Sequence, residues 1–406
     1  MIKLTPYENR NHFIERYVQD KFVKIQRRYN KMTEKDKEYL KCLFPEAFSG
    51  NMLDKKFFSD LLSLNLYEII KKYTCVKEYF EVAFFSSLDI RNICRDKSEK
   101  EAKSIREGYY CRFNTECKNF ERYIIPDYAR KHRAIREINK YICQSEERFE
   151  DFQNYIRKTI IEETRVRKNK IRYGVLKKLF NYKTMLDASD RNNIVKSLNL
   201  VVCPYCNRAY ISSYEDNWLE DEERTTADLD HFFPKNMFVL FSISLYNFIP
   251  CCKVCNSLFK GDKNLDILYP YADAYEHQAK FSLVDNEKIL EARDVFGWSK
   301  GKKIQLIGMD VEDSKRAAQI EREIQLFRIR EVYQVHNEFA ERLLYSKNVL
   351  GPRAKEEILE CINKGVKDNQ LQMEEFEQFF YGVDRDSIAN EMKKTPLAKL
   401  IIDILN

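Results

Sequence analysis

The sequence predicts a mainly α-helical protein in which helical N- and C-terminal regions flank a short cysteine-rich core. Of the 406 residues, 44% are hydrophobic, which is enough for a sizeable core. Glycine and proline, which often end helices, number only 10 and 9. Apolar residues recur at helical spacing over residues 52–72 and 317–345, and residues 396–405 form a final apolar segment. Cysteines, aromatic residues and turn formers instead crowd together between residues 199 and 270.

These patterns divide the chain into three predicted regions. We expect a helical N-terminal domain at residues 1–190, a compact core at 191–270 and a mainly helical C-terminal extension at 271–406. The 70 basic and 64 acidic side chains give a formal net charge of +6, which alone indicates no particular partner. No apolar run approaches the about 18 residues that a bilayer span needs, and the first residues lack the apolar segment of a signal peptide. We therefore expect a cytoplasmic protein without a membrane partner.

Two cysteine pairs predict a metal site in the core. Cys203 and Cys206 form one pair, Cys252 and Cys255 form the other, and two residues separate the cysteines of each pair. This spacing lets both sulfurs of a tight turn face one ion, and four thiolates complete the closed tetrahedral site of structural zinc. A redox-active dithiol is the alternative for a single pair, but two pairs around one segment favour Zn²⁺.

The remaining cysteines carry no metal-binding pattern. Cys251 is adjacent to the second pair, and we expect it to be a buried neighbour of the site. The other seven are expected to be small core residues. They are Cys42, Cys75, Cys94, Cys111, Cys117, Cys143 and Cys361.

Polar residues form a second pattern in the core. Asp230 and His231 stand together, Asn247 follows, and Asn256 and Lys260 come directly after the second cysteine pair. An imidazole can accept a proton near neutral pH, and carboxylate and amide oxygens suit hard cations. The order Asp-His, Asn and Cys-x-x-Cys-Asn-x-x-x-Lys-Gly resembles the HNH endonucleases, which have the ββα-metal fold.

The resemblance implies a metal-dependent endonuclease that hydrolyses phosphodiester bonds in DNA. His231 is then the general base, and Asp230 and Asn256 hold a catalytic Mg²⁺ or Mn²⁺ ion. Asn247 orients the backbone and ring of His231, and Lys260 steadies the phosphate.

The local patterns agree with such a core. Residues 228–233 predict a strand, residues 240–249 lead into a second strand, and a helix is expected to start at Asn256 with its amides facing the phosphate. Together with the resemblance, these patterns predict a mainly α fold, with helical N- and C-terminal regions around a small zinc-stapled ββα-metal (HNH) nuclease core.

The resemblance extends beyond the core motif, over about residues 200–406. Residues 303–310, 333–336 and 396–399 look like the C-terminal part of the HNH nuclease subunits of Septu-type anti-phage defence systems. That resemblance implies antiviral defence and an ABC- or SMC-like ATPase as protein partner. The first 190 residues resemble no family, and we expect them to dock a partner or bind DNA.

Charged segments give weaker signals. Residues 165–183 carry eight basic and no acidic side chains, which suits either a DNA-binding surface or a solvated helix face. Residues 215–223 carry six acidic and no basic ones, and we expect an exposed loop there. Residues 96–107 are expected to be an exposed helix or a linker.

Two further hypotheses about function stay open. One is a free-standing restriction or homing-type HNH endonuclease whose first 190 residues recognise DNA. The other is a non-catalytic zinc-binding scaffold in which the aspartate and histidine are incidental. The sequence does not exclude RNA as the substrate.

Overall fold

The structure is a computed structural model that describes residues 2–4, 11–95, 97–116, 172–216, 222–275, 278–285, 288–291, 302–308, 311–365, 370–385 and 387–406. Over these residues the protein is mainly helical with small sheets, so the predicted fold class is confirmed at this level. Among the described residues, no helix is both long enough and apolar enough to span a bilayer. Part of the predicted helical N-terminal domain, residues 117–171, lies outside the described residues.

A run of helices fills the first part of the chain. Side chains at their N-termini explain where several of them begin: the Asp54 carboxylate accepts from the Phe57 amide at 2.7 Å, for example. The elements are α1 Asn11–Asn30, α2 Glu34–Leu43, a 3₁₀ turn Pro45–Ala47, β1 Phe48–Ser49, β2 Met52–Leu53, α3 Lys55–Ser63, α4 Leu66–Lys72, α5 Thr74–Ser87, α6 Ile90–Ile93 and α7 Glu99–Glu116. The last of these confirms a helix in the charge-rich segment.

The helical stretch expected at residues 52–72 is interrupted twice. Its first two residues pair with β1 as a short antiparallel strand. Asn65 then separates α3 from α4, because its side chain accepts from the Tyr67 amide at 3.0 Å while Glu68 accepts from the Asn65 amide at 3.3 Å. This reciprocal capping starts a new helix at Leu66. The spacing of the apolar residues alone does not show this break between α3 and α4.

The charged segments adopt regular structure where they are described. The basic segment contributes α8 Arg172–Leu179, where Lys178 forms an ion pair with Asp36 at 3.1 Å; α9 Tyr182–Met185 and α10 Ala188–Ser197 follow. The acidic segment is not simply a loop, because β3 Ser213–Asp216 and β4 Glu222–Thr225 pair as antiparallel strands. Residues 165–171 and 217–221 lie outside the described residues.

The predicted core has the order strand, strand, helix. β5 Asp228–His231 pairs antiparallel with β6 Phe248–Cys251, and two 3₁₀ turns, Val239–Phe241 and Leu245–Asn247, connect them. A π-helix, Val254–Lys260, follows and ends at Gly261, whose φ of 52° is in the left-handed region. Both predicted strands are thus confirmed in type.

The C-terminal region combines a sheet with helices. β7 Ala279–Asp285 lies between β8 Lys288–Ile289 and β9 Lys303–Gly308 in an antiparallel sheet. The helices after it are α11 Ser314–Leu326, α12 Ile329–Val332, a 3₁₀ turn Gln334–His336, α13 Asn337–Val349, α14 Pro352–Lys364, α15 Met373–Tyr381, α16 Ile388–Lys394 and α17 Ala398–Leu405. The helical stretch expected at residues 317–345 is confirmed but interrupted, because Arg328 adopts a left-handed φ of 52°.

Both flanking regions pack against the middle of the chain in one continuous hydrophobic core. From the N-terminal side, the Tyr17 hydroxyl donates to the Ile243 carbonyl at 2.8 Å. From the middle, the Ser242 hydroxyl donates to the Phe180 carbonyl at 2.6 Å. From the C-terminal side, the Tyr333 hydroxyl donates to the Cys206 carbonyl at 2.7 Å. The core therefore crosses both predicted boundaries, 190/191 and 270/271.

The cysteines outside the two pairs differ in environment. Cys251, Cys75 and Cys94 are buried, as predicted. The prediction of core positions is wrong for Cys42, Cys111 and Cys361, which are exposed. Cys117 and Cys143 lie outside the described residues.

Candidate metal centre and hairpin site

The two cysteine pairs converge on one buried cluster. The sulfurs of Cys203, Cys206, Cys252 and Cys255 all lie within 4.8 Å of one another. Four sulfurs about 2.3 Å from a tetrahedral ion lie about 3.8 Å apart, so this cluster fits such an ion. These four cysteines can therefore hold a zinc-type metal ion, and the spacing prediction of one four-cysteine site is confirmed at that level.

Protons are unevenly shared among the four thiols. Burial raises the pKa of Cys203 well above its usual value. Hydrogen bonding from the Cys203 thiol lowers the pKa of Cys206 and of Cys252. A lowered pKa favours the thiolate, which is the form of cysteine that binds a metal.

Backbone geometry fixes the first cysteine pair and ties it to the end of the chain. Asn207, directly after Cys206, has a left-handed φ of 48°, and its amide donates to the Cys203 carbonyl at 2.8 Å. The Asn207 side chain donates to the Met392 carbonyl at 2.8 Å and accepts from the Lys399 amide at 3.1 Å. The turn that presents two sulfurs is therefore fastened to α16 and α17.

The hairpin β5–β6 sets which side chains share a face. Asp228 is opposite Cys251, and His231 is opposite Phe248. Since successive side chains of a strand alternate between faces, Asp228 and Asp230 lie on one face and His231 lies on the other. The contacts agree, because the His231 ring packs against Phe248 with centroids 5.1 Å apart, whereas Asp230 contacts the π-helix.

Asp230 takes part in a buried ion pair. Its carboxylate accepts from the Lys260 ammonium at 3.0 Å and from the Tyr205 hydroxyl at 2.6 Å. Lys260 also donates to the His231 carbonyl at 2.8 Å, and the side chains of Lys260 and Asp230 are only 1% and 3% exposed. The expectation that Lys260 meets a phosphate is corrected: it neutralises Asp230 inside the protein and ties the π-helix to β5.

Asn256 pairs with a different aspartate from the one expected. Its side-chain amide donates to the Asp228 carboxylate at 3.0 Å, and both residues are half-buried. The expected helix start at Asn256 is also wrong: the π-helix begins at Val254, and the Asn256 amide donates to the Cys252 carbonyl at 3.0 Å. Its own amide therefore cannot face a phosphate, because a helical hydrogen bond already uses it.

His231 is held in one tautomer in an aromatic pocket. Its Nε2 atom lies 2.9 Å from the Ser242 carbonyl, which can only accept, so Nε2 carries the proton and Nδ1 keeps its lone pair. The rings of Tyr182 and Phe248 pack against it. Burial, followed by the positive charge of Lys235, lowers the pKa of His231 to about 3, so the ring is neutral at neutral pH.

Asn247 holds the loop after His231. Its side-chain oxygen accepts from the Phe233 amide at 2.8 Å, and its amide donates to the Phe233 and Phe241 carbonyls, both at 3.1 Å. It is 2% exposed, so three hydrogen bonds satisfy a buried amide. Its side-chain contacts hold the backbone two residues beyond His231. None of them reaches the His231 ring, which the sequence predicted Asn247 to orient.

Two cations near His231 were missed by the sequence analysis. The Arg191 guanidinium lies 5.4 Å and the Lys235 ammonium 5.0 Å from the centre of the Tyr182 ring. That ring is 4.6 Å from the His231 ring. The aromatic Tyr182 within the basic segment was the one signal in the sequence that pointed to these cations. Their position at the site depends on the fold, which brings α9 and α10 to the hairpin.

No family model, curated protein or solved structure matches this chain. The structure joins the four cysteines, pairs Asp230 with Lys260 and Asn256 with Asp228, and places His231 beside Tyr182.

Proposed function

We propose that this protein is a metal-dependent endonuclease of the HNH type that cuts DNA. The supporting observation is the module in which a four-cysteine cluster, which we assign to Zn²⁺, fixes the hairpin β5–β6 to the π-helix. That strand–strand–helix unit carries an aspartate, a histidine and an asparagine in the order the resemblance implies. Such a closed four-cysteine site holds the fold and leaves no position for a substrate.

In the proposed reaction His231 accepts the proton of the attacking water. The Ser242 carbonyl fixes the tautomer in which Nδ1 can do so, as a positioned imidazole requires. Arg191 and Lys235 supply positive charge beside the ring, which suits an anionic phosphate.

Asp228 and Asn256 are the side chains that would hold a catalytic Mg²⁺ or Mn²⁺ ion. Their oxygens belong to the donor class that these cations prefer, and both side chains are half-buried rather than enclosed. The cation would neutralise charge on the phosphate when bound. This assignment replaces Asp230 by Asp228, because Lys260 and Tyr205 already engage the Asp230 carboxylate.

Plasmid cleavage by the purified protein tests the proposal. We expect wild type to cut supercoiled plasmid with Mg²⁺ or Mn²⁺, and His231→Ala to be slower by a factor of about 100 to 10,000, the usual contribution of a general base. His336→Ala is the matched control, since that histidine lies outside the hairpin and contacts Arg208. Equal rates for wild type and His231→Ala, at equal zinc content, would remove His231 from the reaction.

A second pair of variants tests which aspartate serves the cation. Asp228→Asn is expected to raise the Mn²⁺ concentration for half-maximal cleavage by about tenfold or more, with little effect on folding. Asp230→Asn is expected mainly to lower the denaturation midpoint, because it leaves the buried Lys260 ammonium without its counter-charge. If Asp230→Asn shifts the Mn²⁺ dependence and Asp228→Asn does not, Asp230 is the ligand of the cation, as the sequence predicted.

The burial of His231 favours a second candidate function. This side chain is 6% exposed, and its ring is on the opposite face of the hairpin from Asp228. A zinc-held scaffold that binds nucleic acid without cutting it would have the same geometry. That candidate predicts DNA binding by wild type with no cleavage at any Mg²⁺ or Mn²⁺ concentration.

We further propose that an ABC- or SMC-like ATPase works with the nuclease in anti-phage defence. Exposed apolar side chains on α15, Phe379 at 84% and Phe380 at 48%, are compatible with a protein partner. Increased cleavage on adding such an ATPase supports this arrangement. Sequence-specific cutting by the protein alone favours a free-standing restriction or homing-type enzyme.

A further inference from the structure

A cavity of about 340 Å³ lies where the three regions of the chain meet. Residues at the end of α6, in the segment directly after the π-helix and in α11–α12 line this cavity. The volume lies in the range of about 300–1,000 Å³ that is typical of small-molecule sites. The residues that line it do not include the four cysteines, His231, Asp228 or Asn256, so it is separate from the hairpin site.

Positive charge dominates the wall of this cavity. Five of the lining residues are basic and only Glu331 is acidic; the basic ones are Arg95, Lys263, Arg322, Arg328 and Arg330. Three ion pairs offset part of this charge: Arg322 with Asp266, Arg330 with Glu321, and Arg328 with Glu331.

The Lys263 ammonium has a neutral partner, since it donates to the Phe259 carbonyl at 2.6 Å. Arg328 is 56% exposed, and its ion pair with Glu331 is 3.3 Å long, so it is free to reorient towards a ligand. A net excess of cationic donors around a cavity is the environment in which phosphate groups bind.

Polar groups on the rest of the wall can bind a nucleobase. Ile93, Leu265, Ile324 and Leu326 line the cavity but are each at most 8% exposed, so they offer little apolar surface to a ligand. Asn92 and Gln325 also line it. The nitrogen of Asn92 donates to Asp89, and that of Gln325 donates to Glu321, so each carbonyl oxygen is left to accept from an amino group of a base.

We propose that this cavity binds a nucleoside phosphate, with its phosphates beside Lys263 and Arg328 and its base beside Asn92 and Gln325. The ligand chemistry has two sources, a free nucleotide and the terminal nucleotide of a nucleic-acid strand. The proposal does not depend on the proposed nuclease function, because it concerns other residues and requires no cleavage.

Calorimetric titration of the metal-loaded full chain with ATP tests the proposal. We expect Lys263→Gln combined with Arg328→Gln to weaken ATP binding by about tenfold or more for each charge-assisted hydrogen bond lost. Arg353→Gln is the matched control, because that arginine is 91% exposed on α14 and does not line the cavity. Equal thermal unfolding midpoints of the three proteins show that the changes are local.

Competition with an oligonucleotide distinguishes a free nucleotide from the end of a nucleic-acid strand. ATP binding that a short 5′-phosphorylated oligonucleotide does not displace identifies a free nucleotide as the ligand. Displacement by the oligonucleotide, with both affinities lost in the double variant, identifies a strand end. The proposal is overturned if ATP does not bind, if the double variant binds it as well as the control does, or if inorganic tripolyphosphate binds as tightly as ATP.

Discussion

Replacing Cys203 by serine is expected to release the metal ion from the four-cysteine cluster and to unfold the protein under conditions in which wild type is folded. Structural zinc contributes about 10–16 kcal/mol of apparent binding free energy in small zinc modules, whereas whole domains are stable by only about 5–15 kcal/mol. Cys203 is fully buried, and the same hydrophobic core continues into both flanking regions. Loss of the ion should therefore affect more than the hairpin.

Metal analysis and thermal unfolding of the same samples check this prediction. Wild type should contain one zinc per chain, and Cys203→Ser should contain none and unfold at a much lower temperature. Cys361→Ser is the control, because that cysteine is exposed on α14 and should keep both the metal and the midpoint. Retention of one zinc and of the wild-type midpoint by Cys203→Ser would show that the cluster does not hold the fold.

Replacing Lys260 by methionine is expected to cost about 3–5 kcal/mol of unfolding free energy, the usual effect of removing one partner of a buried ion pair. The reason is that the Asp230 carboxylate, at 3% exposure, loses its only ion-pair partner among the described contacts. The Tyr205 hydroxyl remains as a donor to this carboxylate, but it carries no charge. The π-helix also loses its hydrogen bond to the His231 carbonyl.

Denaturant unfolding of two further variants separates charge from packing. Lys263→Met changes an exposed lysine three residues away and should leave the unfolding free energy within about 0.5 kcal/mol of wild type. Asp230→Asn combined with Lys260→Met removes the uncompensated charge and should recover part of the loss. A Lys260→Met protein as stable as Lys263→Met would show that the ion pair does not stabilise the module.

The parts of the fold that depend on local pattern were predictable. The cluster of four cysteines that can hold a metal ion follows from spacing, because two residues between cysteines bring two sulfurs to one side of a turn. Strand β5 and the long helical regions follow from the alternation and recurrence of apolar residues. Breaks in those regions did not follow, since Asn65 and Arg328 interrupt them through a cap and a left-handed backbone that apolar spacing does not record.

The roles of the individual side chains in the site could not be predicted, because they depend on contacts between residues that are far apart in the sequence. Lysine is usually exposed, so Lys260 suggested a phosphate contact until the fold placed Asp230 and Tyr205 against it. Asp228 and Asp230 differ by two residues and point to the same face, so only the position of the π-helix distinguishes them. Arg191 reaches the site because α9 and α10 pack beside the hairpin, which no motif encodes.

The most direct test of the proposed nuclease activity is the conversion of supercoiled plasmid by wild-type protein that holds one zinc per chain, as Mn²⁺ is added. We expect no cutting without added cation, and cutting that rises and saturates with Mn²⁺. We also expect cutting to stop when a chelator removes the Mn²⁺ but leaves the buried zinc. Intact plasmid at every Mn²⁺ concentration, from protein that still holds its zinc, would contradict the nuclease proposal and favour a zinc-held scaffold.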